Sequence, residues 1–201
     1  MTDLKNIFTD AFIELLSKIS KDGIANAAKG FSGMIGKSLT IKNSKARLVK
    51  LMDISTMLGG PEDESVAIYL KSEGSIAGQM MLVIPFEKTM LLVDLIMGNP
   101  PGTTVTIGSM EKSALQELGN ITGTFFLNYV ADHTGSSVRP TPPAVMVDMI
   151  GAILDIVIAT AGVENDEVLL IDAEFDQGEI SSEIQFWVIP DTKTIMEYGA
   201  K

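Results

Sequence analysis

Four polar side chains stand where one helix could offer them to another molecule: Ser113, Glu117, Asn120 and Thr124, in the stretch SALQELGNITGTFF. With Ser113 at zero, about 100° per residue puts Glu117 near 40°, Asn120 near −20° and Thr124 near 20°, a single narrow stripe. Ala114, Leu115, Leu118, Ile121, Phe125, Phe126 and Tyr129 fall between about 80° and 220°, the expected core face. The stripe carries a carboxylate, which can pair with a cation, and an amide, which both donates and accepts hydrogen bonds. A Glu-x-x-Asn pair by itself is common and equally fits an ordinary solvated face. Gly119 and Gly123 interrupt the same helix, each costing up to about 1 kcal/mol relative to Ala. Four residues apart, they leave a bare strip of backbone between stripe and core face, for helix–helix packing or for a partner's close approach.

Composition narrows the remaining chemistry. The 201 residues contain no Cys, which excludes disulfides, thiol catalysis and thiolate metal sites and accords with a cytoplasmic location. The single His133, expected at a helix end where the dipole favours it, cannot build a multi-histidine metal site. Acid clusters at 61–65 (PEDES) and 164–167 (ENDE) sit between strand-like runs and are expected to be solvated turns. No cofactor of the chain's own is expected. With 15 Lys and Arg against 26 Asp and Glu, the net charge of −11 disfavours nucleic acid and anionic membranes, leaving proteins as partners. MTDLKNIFTD has no basic signal-peptide region, and the two greasiest tracts are broken by Pro85, Glu87, Lys88 and Asp94, or by Asp148 and Asp155, so no membrane insertion is expected.

The elements that must position the stripe repeat along the chain. The turn cluster Gly98-Asn-Pro-Pro-Gly-Thr-Thr divides two runs, about 5–98 and about 104–201, within one domain spanning 1–201. Each begins with a helical pattern, about 5–33 and about 109–133, and passes through a Gly into alternating strand sequence. An offset of 99 superposes Leu16 on Leu115, Gly36 on Gly135 and Ser38 on Ser137. Each run continues with a strand, a Gly- and acid-containing turn and a second strand ending Val-Ile-Pro, at Pro85 and Pro190. Pro breaks a central strand and suits a helix start, so a strand-to-helix junction is expected at each. Trp187, beside the second Val-Ile-Pro, is expected to be strand packing. In the long second helix, Ser109 is the expected N-cap, Glu111 suits the first turn, and Gly135 is the expected stop. The expected fold is α+β, a pseudo-two-fold duplicated unit whose long helices cover one face of a mostly antiparallel sheet.

The stripe acquires specificity from a distant residue. Ser113, three residues, Glu117, two residues, Asn120, and then twenty-two residues to Pro143 matches the signature of the CheC/CheX/FliY family of CheY-phosphate phosphatases at every spacing. A chance match at all four positions is expected in under about 1% of chains this long. The chain resembles CheC most, in its duplication, its length, the Pro-Pro-Gly turn and the ALQELGNI text.

The resemblance implies an enzyme that hydrolyses the aspartyl phosphate of CheY, whose own active site supplies Mg2+ and a Lys. It implies that Asn120 positions the attacking water, that Glu117 pairs with that Lys, and that Ser113 and Pro143 support the site. It also implies CheD, a receptor-modifying deamidase, as a second partner. A non-catalytic CheY-phosphate adaptor or flagellar-switch-like module is the alternative. Family members often carry the signature twice, but subtracting 99 puts Glu14, Lys18, Lys21 and Ser44 in the four positions. Lysines cannot accept a hydrogen bond from water or pair with a cation, so one working site is expected, in the second half.

Overall fold

A strand that is apolar at every position, such as MMLVIP, has two faces to bury and needs cover on both. The computed structural model describes residues 10–38, 40–57, 59–161, 167–176 and 181–191. In chain order its elements are α1 (Asp10–Ile35), β1 (Thr40–Lys50), α2 (Leu51–Met57), β2 (Glu64–Gly74), β3 (Gly78–Pro85), α3 (Phe86–Met97), α4 (Ser109–Thr134), β4 (Val138–Pro140), β5 (Ala144–Met149), α5 (Ile150–Ala161), β6 (Glu167–Asp176) and β7 (Ser181–Pro190). This is the α+β class expected from the sequence. The strands form one antiparallel sheet in the order β1-β6-β7-β3-β2, with β4 and β5 both paired to β2.

Exchanging the two halves of the chain leaves that order unchanged. The outer strand of each half pairs with a strand of the other: Ala46 lies opposite Ile171, and Val145 opposite Ile68. β4 and β5 are two lengths of one edge strand, interrupted at Thr141-Pro142-Pro143, where prolines have no N–H to donate to the ladder. On the other edge, β1 shifts register between Lys42 and Lys45. Two irregular edges discourage edge-to-edge association of the sheet.

Alternation along the central strands feeds two cores. Met80, Leu82 and Ile84 of β3 join Val66, Ile68 and Leu70 of β2 under α1, α3 and α4, with Ile24, Phe31, Leu92, Leu115, Leu118 and Phe126. Met81, Val83, Ala67 and Trp187 face the other way, against Ile54 of α2 and Ile150, Ile153, Leu154 and Val157 of α5. Helices therefore cover both faces, where the sequence reading expected one. Neither α2 nor α5 was anticipated, because α2 is only seven residues long and α5 is apolar almost all round, which hides its period. Trp187 is buried strand packing, as expected.

The expected punctuation is present. Gly36 and Gly135 follow α1 and α4 in the left-handed conformation, with φ of 66° and 65°, a geometry that only glycine adopts without strain. Pro85 ends β3 and immediately precedes α3, so the first Val-Ile-Pro is a strand-to-helix junction. The segment after Pro190 lies outside the described residues beyond Asp191. Glu62, Asp63 and Glu64 are exposed around the turn before β2, while 164–166 of the second acid cluster fall outside the described residues.

Candidate functional site

The site is built on α4, and its beginning is held from both sides. Helix α4 starts one residue earlier than expected: Gly108, not Ser109, is the N-cap, because the Glu111 carboxylate reaches back to accept a hydrogen bond from the Gly108 N–H at 2.9 Å. The loop before it is held by Asp94 of α3, which the sequence reading named only as a break in an apolar tract. Its side chain is buried and accepts four hydrogen bonds: Gly102 N–H (2.7 Å) and Thr103 N–H (3.0 Å) on Oδ2, Thr104 N–H (2.9 Å) and the Thr104 hydroxyl (2.6 Å) on Oδ1. Burial pushes the Asp94 pKa up, but the hydrogen bonds from Thr104, Gly102 and Thr103 outweigh it and hold the carboxyl below its ordinary value. The available signal was an Asp shortly before a Pro-Pro-Gly-Thr-Thr turn, whose free N–H groups need an acceptor.

Along its length α4 is wedged between α1 and β2. Leu115, Leu118, Gly119, Thr122, Gly123, Phe126 and Leu127 are buried. Their arc is centred roughly 80° from the expected core face, on the glycine side. Hydrophobic patterning gives glycine no weight, yet its missing side chain is what admits the sheet. A Cβ at Gly119 would overlap Ile68 Cγ2 and stand 3.2 Å from Pro143 Cβ; one at Gly123 would stand 3.0 Å from Leu70 Cδ1. The glycines thus serve neither an external partner nor helix–helix contact; they seat α4 on β2.

Ile121, Phe125 and Tyr129 of the expected core face are half-buried and lie toward α1. A Cβ at Gly30 would stand 2.6 Å from Phe125 Cδ2 and 2.7 Å from Ile121 Cγ2. The Asn26 amide donates to the Phe125 carbonyl at 3.0 Å. The Tyr129 hydroxyl donates to Asp22 at 2.9 Å and lies 3.2 Å from His133 Nε2, with the two rings stacked at 4.3 Å. Desolvation and the Asp22 carboxylate raise the Tyr129 pKa. His133 sits in the last turn of α4, as expected.

With those two sides occupied, the polar stripe faces out. Ser113, Glu117 and Asn120 are exposed and Thr124 is half-buried. Pro143 is brought to this helix by the pairing of β4 and β5 with β2: its ring packs beside Gly119, and its carbonyl accepts from the Gln116 amide at 3.3 Å. The fourth residue of the signature therefore touches the backbone turn that carries Asn120. On α1, Lys18 and Lys21 are exposed; Glu14 and Ser44 lie on α1 and β1, and their side chains fall outside the described residues. Among the described residues, no three His, Asp or Glu side chains converge on a metal position, and no helix is long and apolar enough to cross a membrane.

The outward side of α4 thus presents a hydroxyl, a carboxylate and an amide at Ser113, Glu117 and Asn120. The model of the CheC-like family matches residues 110–147, the segment from the first turn of α4 through Pro143 to β5. The chain is 25% identical over 183 residues to the CheY-P phosphatase CheC of Bacillus subtilis, covering 89% of this chain and 88% of that protein. FliY of Thermotoga maritima shares the fold with a TM-score of 0.76 at 18% identity, over 96% of this chain and 98% of that one. CheX, in a complex with CheY, beryllofluoride and Mg2+ from Borrelia burgdorferi, aligns with a TM-score of 0.56 at 14% identity, over 86% and 97% of the two chains. The chain is thus similar to CheC, CheX and FliY proteins, among them a CheY-P phosphatase.

Proposed function

We propose that this protein hydrolyses the aspartyl phosphate of phosphorylated CheY in the cytoplasm, with Asn120 and Glu117 as its catalytic residues. The observation that carries the proposal is the outward-facing stripe of Ser113, Glu117 and Asn120 on a helix whose other sides are occupied, with Pro143 packed beside Gly119, the residue before Asn120. Water attacks phosphorus in line, the bond between phosphorus and the aspartyl oxygen breaks, the aspartate leaves as a carboxylate, and the water's proton passes to the departing phosphate. An acyl phosphate is already activated, so positioning and electrostatics are what the protein must add. The Asn120 amide accepts a hydrogen bond from the water and holds it without titrating. Glu117 docks the helix by pairing with the active-site Lys of CheY, which also supplies the Mg2+. Ser113 and Pro143 fix the shape of the stripe. The likeness to the Bacillus CheC and to a CheX seen with CheY supports this choice of substrate. CheD is a second partner on the same reading.

The test is the decay of phosphorylated CheY with and without the protein. Acceleration by the wild type is expected, with a drop of about 100-fold for Asn120→Ala and for Glu117→Ala. Decay no faster than the control would overturn the enzyme, and binding to phosphorylated CheY without acceleration would make the protein an adaptor. Lys18→Ala and Lys21→Ala are expected to leave the rate unchanged; loss of activity in either would overturn the single-site assignment.

A further inference from the structure

Among the described residues, six large apolar side chains are exposed: Met52, Val105, Met110, Met149, Ile156 and Ile158. Four of them lie on α2, on α5 or at the end of β5 where α5 begins. Val105 and Met110, 74% and 65% exposed, instead flank the start of α4. Met110 falls at about 60° on the wheel that puts Glu117 near 40°, roughly 10 Å nearer the helix start at 1.5 Å per residue. An apolar side chain therefore continues the stripe along the same side of the helix at Met110, while Val105 adds apolar surface in the loop four residues before the helix.

That surface is held in place. Asp94 fixes Gly102, Thr103 and Thr104, the three residues leading directly into Val105, and Glu111 fixes Gly108. A loop ordered in advance loses little entropy when a partner covers it. A stable protein interface takes about 800 Å² from each partner, far more than three side chains offer, so a protein docked on Glu117 and Asn120 must spread along α4. Toward the helix end it would meet exposed Asn128 and Asp132, and an acidic, phosphorylated centre gains nothing beside Asp132. Toward the helix start it meets a methionine, which adapts to the shape of what it touches and is enriched at interfaces.

We infer that Val105 and Met110 are the apolar anchor on which the phosphorylated CheY receiver domain docks, adding affinity to the contact that Glu117 makes while Asn120 sets the rate. The inference rests on the proposed function for the choice of occupant, and the experiment separates the two. Hydrolysis of acetyl-phosphate-labelled CheY is followed for wild type, Met110→Gln, Val105→Ser, the double variant, and Met52→Gln as a control on the opposite face of the sheet. KM is expected to rise about tenfold for Met110→Gln and further for the double variant, at unchanged kcat and unchanged thermal midpoint. Met52→Gln is expected to match wild type. Equal KM in wild type and the double variant would overturn the anchor, as would a fall in kcat at constant KM. If the wild type does not accelerate decay, the catalytic proposal fails, and binding of beryllofluoride-loaded CheY then decides the anchor. Weaker binding by the double variant supports it, and equal binding overturns it.

Discussion

Gly119→Ala isolates the contact that seats α4. Removing a helix-interior glycine favours the helix by about 1 kcal/mol. Against that stands the new methyl group, which overlaps Ile68 Cγ2 and stands 3.2 Å from Pro143 Cβ and 3.4 Å from its Cγ. Ile68 is fully buried, and neither a β-branched side chain nor a proline ring can swing aside, so α4 or β2 must move. Overpacking of this kind costs about 1–3 kcal/mol, and rigid neighbours favour the upper part of that range, leaving a net loss of about 1–2 kcal/mol. Gly123→Ala is the internal control. Its methyl would stand 3.0 and 3.2 Å from the two terminal methyls of Leu70, which can shift by tenths of an ångström, so the helix gain and contact cost nearly cancel. Urea unfolding at constant slope should show a lower midpoint for Gly119→Ala and a midpoint close to wild type for Gly123→Ala. Because Asn120 is the next residue, Gly119→Ala should also slow the hydrolysis proposed above under conditions where the variant is fully folded. Gly119→Ala as stable as Gly123→Ala, or more so, would refute this account of the glycines.

Two further outcomes follow from the loop and from α1. Asp94→Asn leaves two of the four donors facing an amide nitrogen and should cost about 2 kcal/mol at pH 7. Since folding lowers the Asp94 pKa, its stabilisation is present above the unfolded value near pH 4 and is lost as pH falls through the folded value. Unfolding midpoints of variant and wild type should therefore converge on acidification, and a gap equal at pH 7 and pH 3 would refute the assignment. Gly33→Ala, exposed near the end of α1 with nothing within 4 Å of the added methyl, should stabilise the protein by about 0.5–1 kcal/mol, raising the thermal midpoint by a few degrees.

Much of the framework was legible because it rests on local rules. The long helices and their glycine stops, the Val-Ile-Pro strand ends and the α+β class all came from periodicity and from backbone conformations that only Gly and Pro satisfy cheaply. The grouping of Ser113, Glu117 and Asn120 on one side of the helix came from their angular spacing. Helices α2 and α5 were missed because one is too short and the other too uniformly apolar for a period to appear. The N-cap was misplaced by one residue because Glu111 captures Gly108, a glycine with no side chain to advertise its role. The role of Asp94 was missed because its acceptors' worth depends on donors eight to ten residues away that only a folded turn presents.

The sequence by itself determined which residues carry the stripe, since types and spacings along one helix are local properties of the chain. Only the tertiary structure decided what surrounds it. Pairing of β4 and β5 with β2 carries Pro143 across the twenty-three intervening residues onto Gly119. The same strand takes the side of α4 that the glycines leave open, and α1 takes another. Which side of a helix faces water depends on what packs against the others, and residues as distant in the chain as Ile68 and Gly119 reveal that contact only once the sheet has formed.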